Sequence, residues 1–157
     1  MEPFTFVQIT DSHVSDSTSQ ADLKRVLDDV LTLEQPPAFI LSTGDLSDFG
    51  QKSTLSAYKE IMDTSGLPYY SLLGNHDTRW SGLSREQQTH LLQTPNPVSF
   101  VYNGVQIIGL NSGLPLEAWG HISPEQISWM ESEIDALPAT LPRIVASHHP
   151  FLYPDRN

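Results

Sequence analysis

At 157 residues, with 38% apolar residues and three tryptophans, the chain has the size of a single domain, 1–157, with a sizeable core. Its 19 acidic and 8 basic residues give a formal charge of -11, which argues against generic binding to a nucleic-acid backbone. The absence of cysteine excludes disulfides, thiolate metal sites and cysteine nucleophiles. Without a signal peptide or an apolar run of membrane-spanning length, the expected location is cytoplasmic, with no membrane association.

The first predicted element is a strand over Phe4–Ile9. Leu23, Val26, Leu27, Val30 and Leu31 then follow the spacing of a helix with one buried face, which Pro36-Pro37 ends. Ala38–Leu41 reads as a buried strand, and a helix follows near Ser53–Met62 with Ser53 as its N-cap. Tyr69–Leu73 is a third strand, followed by a short helix opened by the capping box Ser84-Arg85-Glu86-Gln87. Val98–Tyr102 and Val105–Ile108, joined by Asn103-Gly104, predict a hairpin. Ser123-Pro124-Glu125-Gln126 starts a helix expected to bury Ile127, Met130, Ile134 and Leu137, and Ile144–Ala146 is the last strand. Strands alternating with helices predict a layered α/β fold, mixed because of the hairpin.

Four of these strands end in polar clusters: Thr10-Asp11-Ser12-His13, Gly44-Asp45-Leu46-Ser47-Asp48, Gly74-Asn75-His76-Asp77 and His148-His149. Ligands of α/β sheets gather at the carboxyl ends of strands, so neighbouring strands would bring Asp11, His13, Asp45, Asn75 and one terminal histidine together. Carboxylates, imidazoles and a carboxamide without sulfur form an N/O set suited to Mn, Fe, Zn or similar divalent ions. Alternation along an extended Asp11-x-His13 would put both side chains on one side of the chain. Asp45, with two oxygens, could bridge two ions about 3.5–4 Å apart, the clamp used for in-line attack on phosphorus. Such cations would also reverse the sign of an acidic surface toward an anionic substrate. His90, Asp22, Asp28 and Asp29 lack such partners and read as ordinary surface groups.

The ordered set DSH, GDLSD, GNHD and HHP, each after an apolar strand, resembles the calcineurin-like metallophosphoesterase family from Phe4 to Pro150. The variants QITDSH, LLGNHD and SHHP look most like its class III cyclic-nucleotide phosphodiesterases and their glycerophosphodiesterase relatives. The resemblance implies a layered β-sandwich flanked by helices. It also implies two divalent metal ions (Mn, Fe, Zn or Co) and hydrolysis of a small-molecule phosphodiester by attack of a metal-bridging hydroxide. Asp11 and His13 would hold the first ion, Asn75 and His148 the second, with Asp45 between them. His76 would act as general acid, and Asp48 corresponds to a carboxylate that hydrogen-bonds that histidine in the phosphoprotein-phosphatase branch, or else caps its loop. His149 falls at a variable position that lines the substrate pocket or faces solvent. Phe49-Gly50 stands where the phosphoprotein phosphatases have Arg-Gly, which argues against that branch. Arg79 and Trp80, just after GNHD, could border the pocket, although no spacing rule assigns them there.

The family pattern ends in a Gly-His-x-His element after the fourth motif, and its second sheet gains strands beyond that point. Gly120-His121 precedes the fourth motif and lacks the second histidine, so the C-terminal part of the second sheet and two ligands are expected to be missing. The alternative is therefore a catalytically incomplete fragment or binding module, completed by self-association or another chain. Uncovered apolar sheet surface invites a homodimer.

Overall fold

β2 (Ile40–Thr43) is buried along its whole length, and the other elements are layered around it. The computed structural model describes residues 2–151. Parallel pairing of β2 with β1 (Val7–Ile9) and β3 (Tyr69–Leu72) makes a three-stranded sheet in the order β1-β2-β3. Parallel neighbours need crossover connections, here α1 (Ser17–Leu31) and α2 (Lys52–Asp63). Side chains alternate along β2, so Ile40 joins a core with Leu23, Leu27, Leu55 and Tyr58. Phe39 and Leu41 belong to a second cluster with Ile107.

That second cluster lies against another sheet. β4 (Val98–Tyr102) and β5 (Val105–Gly109) form an antiparallel hairpin, and β6 (Arg143–Ala146) pairs parallel to β5. Asn103 and Gly104 turn the hairpin with φ of 44° and 80°, the left-handed pair a type I′ turn requires. Aromatic rings fill the layer between the sheets. Phe39 stacks on Phe6 at 5.1 Å and stands edge-on to Phe100 at 5.2 Å, while Tyr70 lies nearly flat on Phe100 at 4.0 Å. The sandwich flanked by helices expected from the motifs is the architecture found, with the hairpin and β6 together forming its second sheet.

Three helix expectations need correction. α1 buries Leu23, Leu27 and Val30, but Val26 and Leu31 are exposed. Ser53 is not a cap: α2 starts at Lys52, after a turn at Gly50 with φ 58°, and Ser53 lies inside it. In α5 (Pro124–Asp135), Ile127 is exposed and Met130 is only half-buried, as are Ile134 and Leu137. Gln126 takes the buried position instead, pairing its amide with the N–H and the carbonyl of Asn111, each at 2.9 Å. Arg143 holds the other end, donating to the carbonyls of Ile134 and Pro138 at 3.1 Å. Polar contacts with fixed geometry thus set the rotation of this helix. Among the described residues, no helix is long and apolar enough to cross a membrane.

Tyr58 fastens α2 to the first sheet. Fully buried, it donates to Ser42 Oγ of β2 at 2.7 Å and lies 3.0 Å from Ser71 Oγ of β3. Burial pushes its hydroxyl up to about 12, so it remains protonated. Tyr58→Phe is expected to destabilise the fold by about 1–2 kcal/mol, because two buried serine hydroxyls lose their shared partner. Urea unfolding measures this, and an unchanged midpoint would count against it.

Candidate metal centre

The strands of the first sheet run parallel, so their carboxyl ends open at one edge, where α/β folds gather ligands. Beyond β1 the chain stays paired with the exit of β2. Asp11 N–H donates to the Gly44 carbonyl at 3.1 Å, His13 N–H to that of Asp45 at 3.0 Å, and Val14 N–H to that of Leu46 at 3.0 Å. Along this path Asp11, His13 and Asp45 adopt φ of 56°, 44° and 51°. Left-handed backbone costs a non-glycine residue roughly 1–2 kcal/mol, and such strain collects at functional sites. Strand alternation is therefore not what brings Asp11 and His13 together. Left-handed turns do so, leaving Asp11 Oδ1 3.7 Å from His13 Nε2.

Two groups of side-chain atoms meet at Asp45, which is almost fully buried. On one side, Asp45 Oδ2 and Asp11 Oδ1 each lie 3.7 Å from His13 Nε2. On the other, His148 Nε2 lies 3.3 Å from Asp45 Oδ2 and 3.2 Å from Asn75 Oδ1. Both imidazoles have Nδ1 on an acceptor: His13 on the Asp48 carboxylate at 2.8 Å, His148 on the Thr43 carbonyl at 3.1 Å. A ring that donates through Nδ1 turns the Nε2 lone pair inward, the arrangement of a metal-ligating histidine. Ligands about 2.1 Å from one ion are about 3–3.4 Å from each other, close to the spacings here. Ligand atoms of Asp11, Asp45 and His148 fall within 4.8 Å of one another, as do those of His13, Asp45 and His76. The donor set fits divalent cations.

The electrostatics point the same way. Burial would raise the Asp45 carboxyl, but the His148 hydrogen bond and the His76 amide, donating at 2.9 Å, hold it below its ordinary value. Burial would lower His148, yet Asp45, the Asp11 charge and the Thr43 carbonyl hold it above.

The Asp48 carboxylate does not contact the side chain predicted for it. It orients His13, and only the Asp48 carbonyl reaches His76, 2.9 Å from Nδ1. The His76 ring stands edge-on to His13 at 4.6 Å and to Trp80 at 5.2 Å, with Nε2 free of the Asp48 contact. His149 has both ring nitrogens engaged, Nδ1 with Ser112 Oγ at 2.8 Å and Nε2 with the Ala118 carbonyl at 3.2 Å. Burial holds its pKa below the ordinary value, and a neutral ring donating through Nε2 satisfies both bonds. In this arrangement His149 ties the 112–118 loop to the end of β6.

The sequence reading missed Asp77 and the short helix α3 (Asn75–Arg79) that carries it. Fully buried, the Asp77 carboxylate accepts from the amides of Leu46, Ser47 and Gly74 at 2.9–3.0 Å and from Ser47 Oγ at 3.3 Å. Its position three residues after Gly74 was the available signal, since carboxylates are favoured in the first turn of a helix. Gly74 has a steric reason as well, because a Cβ there would overlap the Asp45 carboxylate and amide. Gly44, at φ 106°, leaves room for the His148 side chain, whose atoms would lie 2.7–2.8 Å from a Cβ.

A model of the calcineurin-like phosphoesterase family matches residues 4–156. A probable glycerophosphodiester phosphodiesterase of Arcobacter nitrofigilis is 26% identical, over 92% of this chain and 56% of its own. A probable cyclic nucleotide phosphodiesterase of Rhodococcus erythropolis is 32% identical, over 82% of this chain and 44% of its own. The chain thus spans about half the length of these curated relatives. The fold is similar to that of yellow lupin purple acid phosphatase PPD1, with a TM-score of 0.58 at 14% identity over 92% of this chain and 30% of that one. It is also similar to that of phosphopantetheinyl hydrolase from Mycobacterium tuberculosis, with a TM-score of 0.57 at 13% identity over 94% and 69%. Matched by the family model along nearly its whole length, this chain belongs to the calcineurin-like phosphoesterase family.

Proposed function

We propose that this protein is a metal-dependent phosphodiesterase acting on a small-molecule phosphodiester, with two divalent ions drawn from Mn, Fe, Zn or Co. Asp11, His13 and Asp45 would hold one ion, and Asp45, Asn75 and His148 the other. The observation that carries this reading is the pair of inward-facing imidazole lone pairs, each beside carboxylate or carboxamide oxygens, with Asp45 common to both. The phosphodiesterase names of the relatives support diesters over monoesters. When bound, such ions offset the charge that builds on a phosphoryl group under attack.

The protein's own groups supply the rest. Asp48 keeps His13 turned with Nε2 inward, and the Thr43 carbonyl does the same for His148. His76 is anchored twice, by its backbone N–H on Asp45 and by Nδ1 on the Asp48 carbonyl. Its Nε2 is then the atom that hands a proton to the leaving oxygen, a role that needs an imidazolium near working pH.

The test is hydrolysis of bis(p-nitrophenyl) phosphate after chelation and return of Mn, Fe, Co or Zn ions. Activity restored by at least one of them is expected, and no turnover with any of the four would overturn the reading. His76→Asn should keep its metal content and lose about a hundredfold in rate, the low end for general acid catalysis because p-nitrophenolate leaves easily. The loss should grow with poorer leaving groups. A loss independent of the leaving group would remove His76 from the acid role.

A further inference from the structure

Two large aromatic side chains beside the metal centre have no part in holding it. Phe49 follows Asp48 directly, and Trp80 lies four residues after His76, one helical turn along α3. Their rings are 5.6 Å apart and tilted by 54°. Trp80 also receives the edge of His76 at 5.2 Å, and His76 meets His13 at 4.6 Å. A continuous run of rings therefore leads from a candidate metal ligand, through the candidate acid, to the surface. At that end, Phe49 is 49% exposed and Trp80 is 45% exposed. Scattered exposed apolar residues need no explanation, but two paired rings contiguous with a phosphoester site do.

Resting on the phosphodiesterase reading for the identity of the adjoining site, we propose that Phe49 and Trp80 form a stacking shelf for a planar unsaturated ring of the substrate. The shelf would favour phosphoesters that carry a nucleobase or aryl group over those of aliphatic alcohols. An aliphatic group covers such a surface without the offset-stacked or edge contacts that two π-systems make. Arg79 adds to the case. Its guanidinium lies 4.6 Å from the Trp80 ring centroid and forms no ion pair among the described residues. There it steadies the indole and brings positive charge to a protein of net charge -11, which suits an anionic ester.

The shelf is tested by binding rather than turnover, using adenosine 5′-monophosphate and ribose 5-phosphate with the Mn-loaded protein in calorimetric titrations. The two share a phosphorylated sugar and differ in the base. Adenosine 5′-monophosphate should bind about tenfold more tightly, as stacking of one base provides. The double variant F49A/W80A should bring it down to the affinity of ribose 5-phosphate. F49L/W80L, which keeps apolar bulk without a ring, should do the same. Both positions are exposed, so the variants should fold, which circular dichroism checks. Equal affinities in the unsubstituted protein, including no binding of either, would overturn the shelf, as would discrimination surviving in F49A/W80A. Failure of diester hydrolysis would sink the phosphodiesterase reading and leave this comparison intact.

Discussion

Asp45→Asn should abolish metal-dependent diester hydrolysis, lowering the rate by roughly a thousandfold or more, the several kcal/mol that bound metal ions contribute. The substitution changes almost no volume, so the close approach of Gly74 survives. The new amide can still accept the His76 N–H through its oxygen, as Asp45 Oδ1 does at 2.9 Å. Its nitrogen then occupies the place of Oδ2, 3.3 Å from His148 Nε2 and 3.7 Å from His13 Nε2. Two hydrogens would point where two ions are to bind, and the one negative charge common to both groups is gone. Elemental analysis should find both metals lost, and the metal-free variant should melt somewhat below the metal-free parent, because the charge that His148 and the His76 amide stabilise has been removed. A variant that retained both ions and its rate would show that Asp45 holds neither.

The chemistry of this site was legible in the sequence because metal ligation restricts residue type, and polar clusters at four strand ends rarely arise from turn formation alone. Its geometry was less so. Asp11 and His13 converge through left-handed backbone at φ 56° and 44°, imposed by pairing with residues 44–46, which a rule for extended strands does not anticipate. Asp48 sits near two imidazoles and gives its carboxylate to His13 and its carbonyl to His76. That choice depends on how segments some 30 residues apart are set against each other, which local spacing does not record. Of the fold, the alternation of strands with helices and the hairpin turn were readable from periodicity and turn chemistry, and the sandwich from the resemblance that the motifs carry. The facing of α5 was not, because an apolar pattern carries no weight for Gln126, whose amide closes on the Asn111 backbone. Buried polar groups with fixed partners override hydrophobic periodicity here, since leaving them unpaired costs more than exposing one isoleucine.

Asp77→Asn should cost the fold about 3 kcal/mol in urea unfolding, and should weaken metal binding without touching a ligand. Burial pushes the Asp77 carboxyl up to about 6, against the pull of its backbone donors, so at neutral pH it is ionised and accepts only. Oδ1 takes the Ser47 amide and hydroxyl, and Oδ2 the amides of Leu46 and Gly74. An asparagine offers one acceptor oxygen. Its better orientation keeps Leu46 and Gly74 satisfied and turns NH₂ toward Ser47, where the hydroxyl can rotate to accept but the amide N–H is left facing another donor. One orphaned buried amide and the loss of a charge-assisted set together account for the expected size. The consequence for the metals follows from what Asp77 joins: Leu46 and Ser47 follow Asp45, and Gly74 precedes Asn75 and His76. Loosening that joint lets the exits of β2 and β3 drift apart, so the affinity of the Asn75 and His148 group should fall along with stability. Asp77→Ala, which orphans all three amides, should be worse on both measures. If D77N lost stability but kept full metal affinity, the Asp77 carboxylate would be a prop for the loop and not a spacer for the ligands.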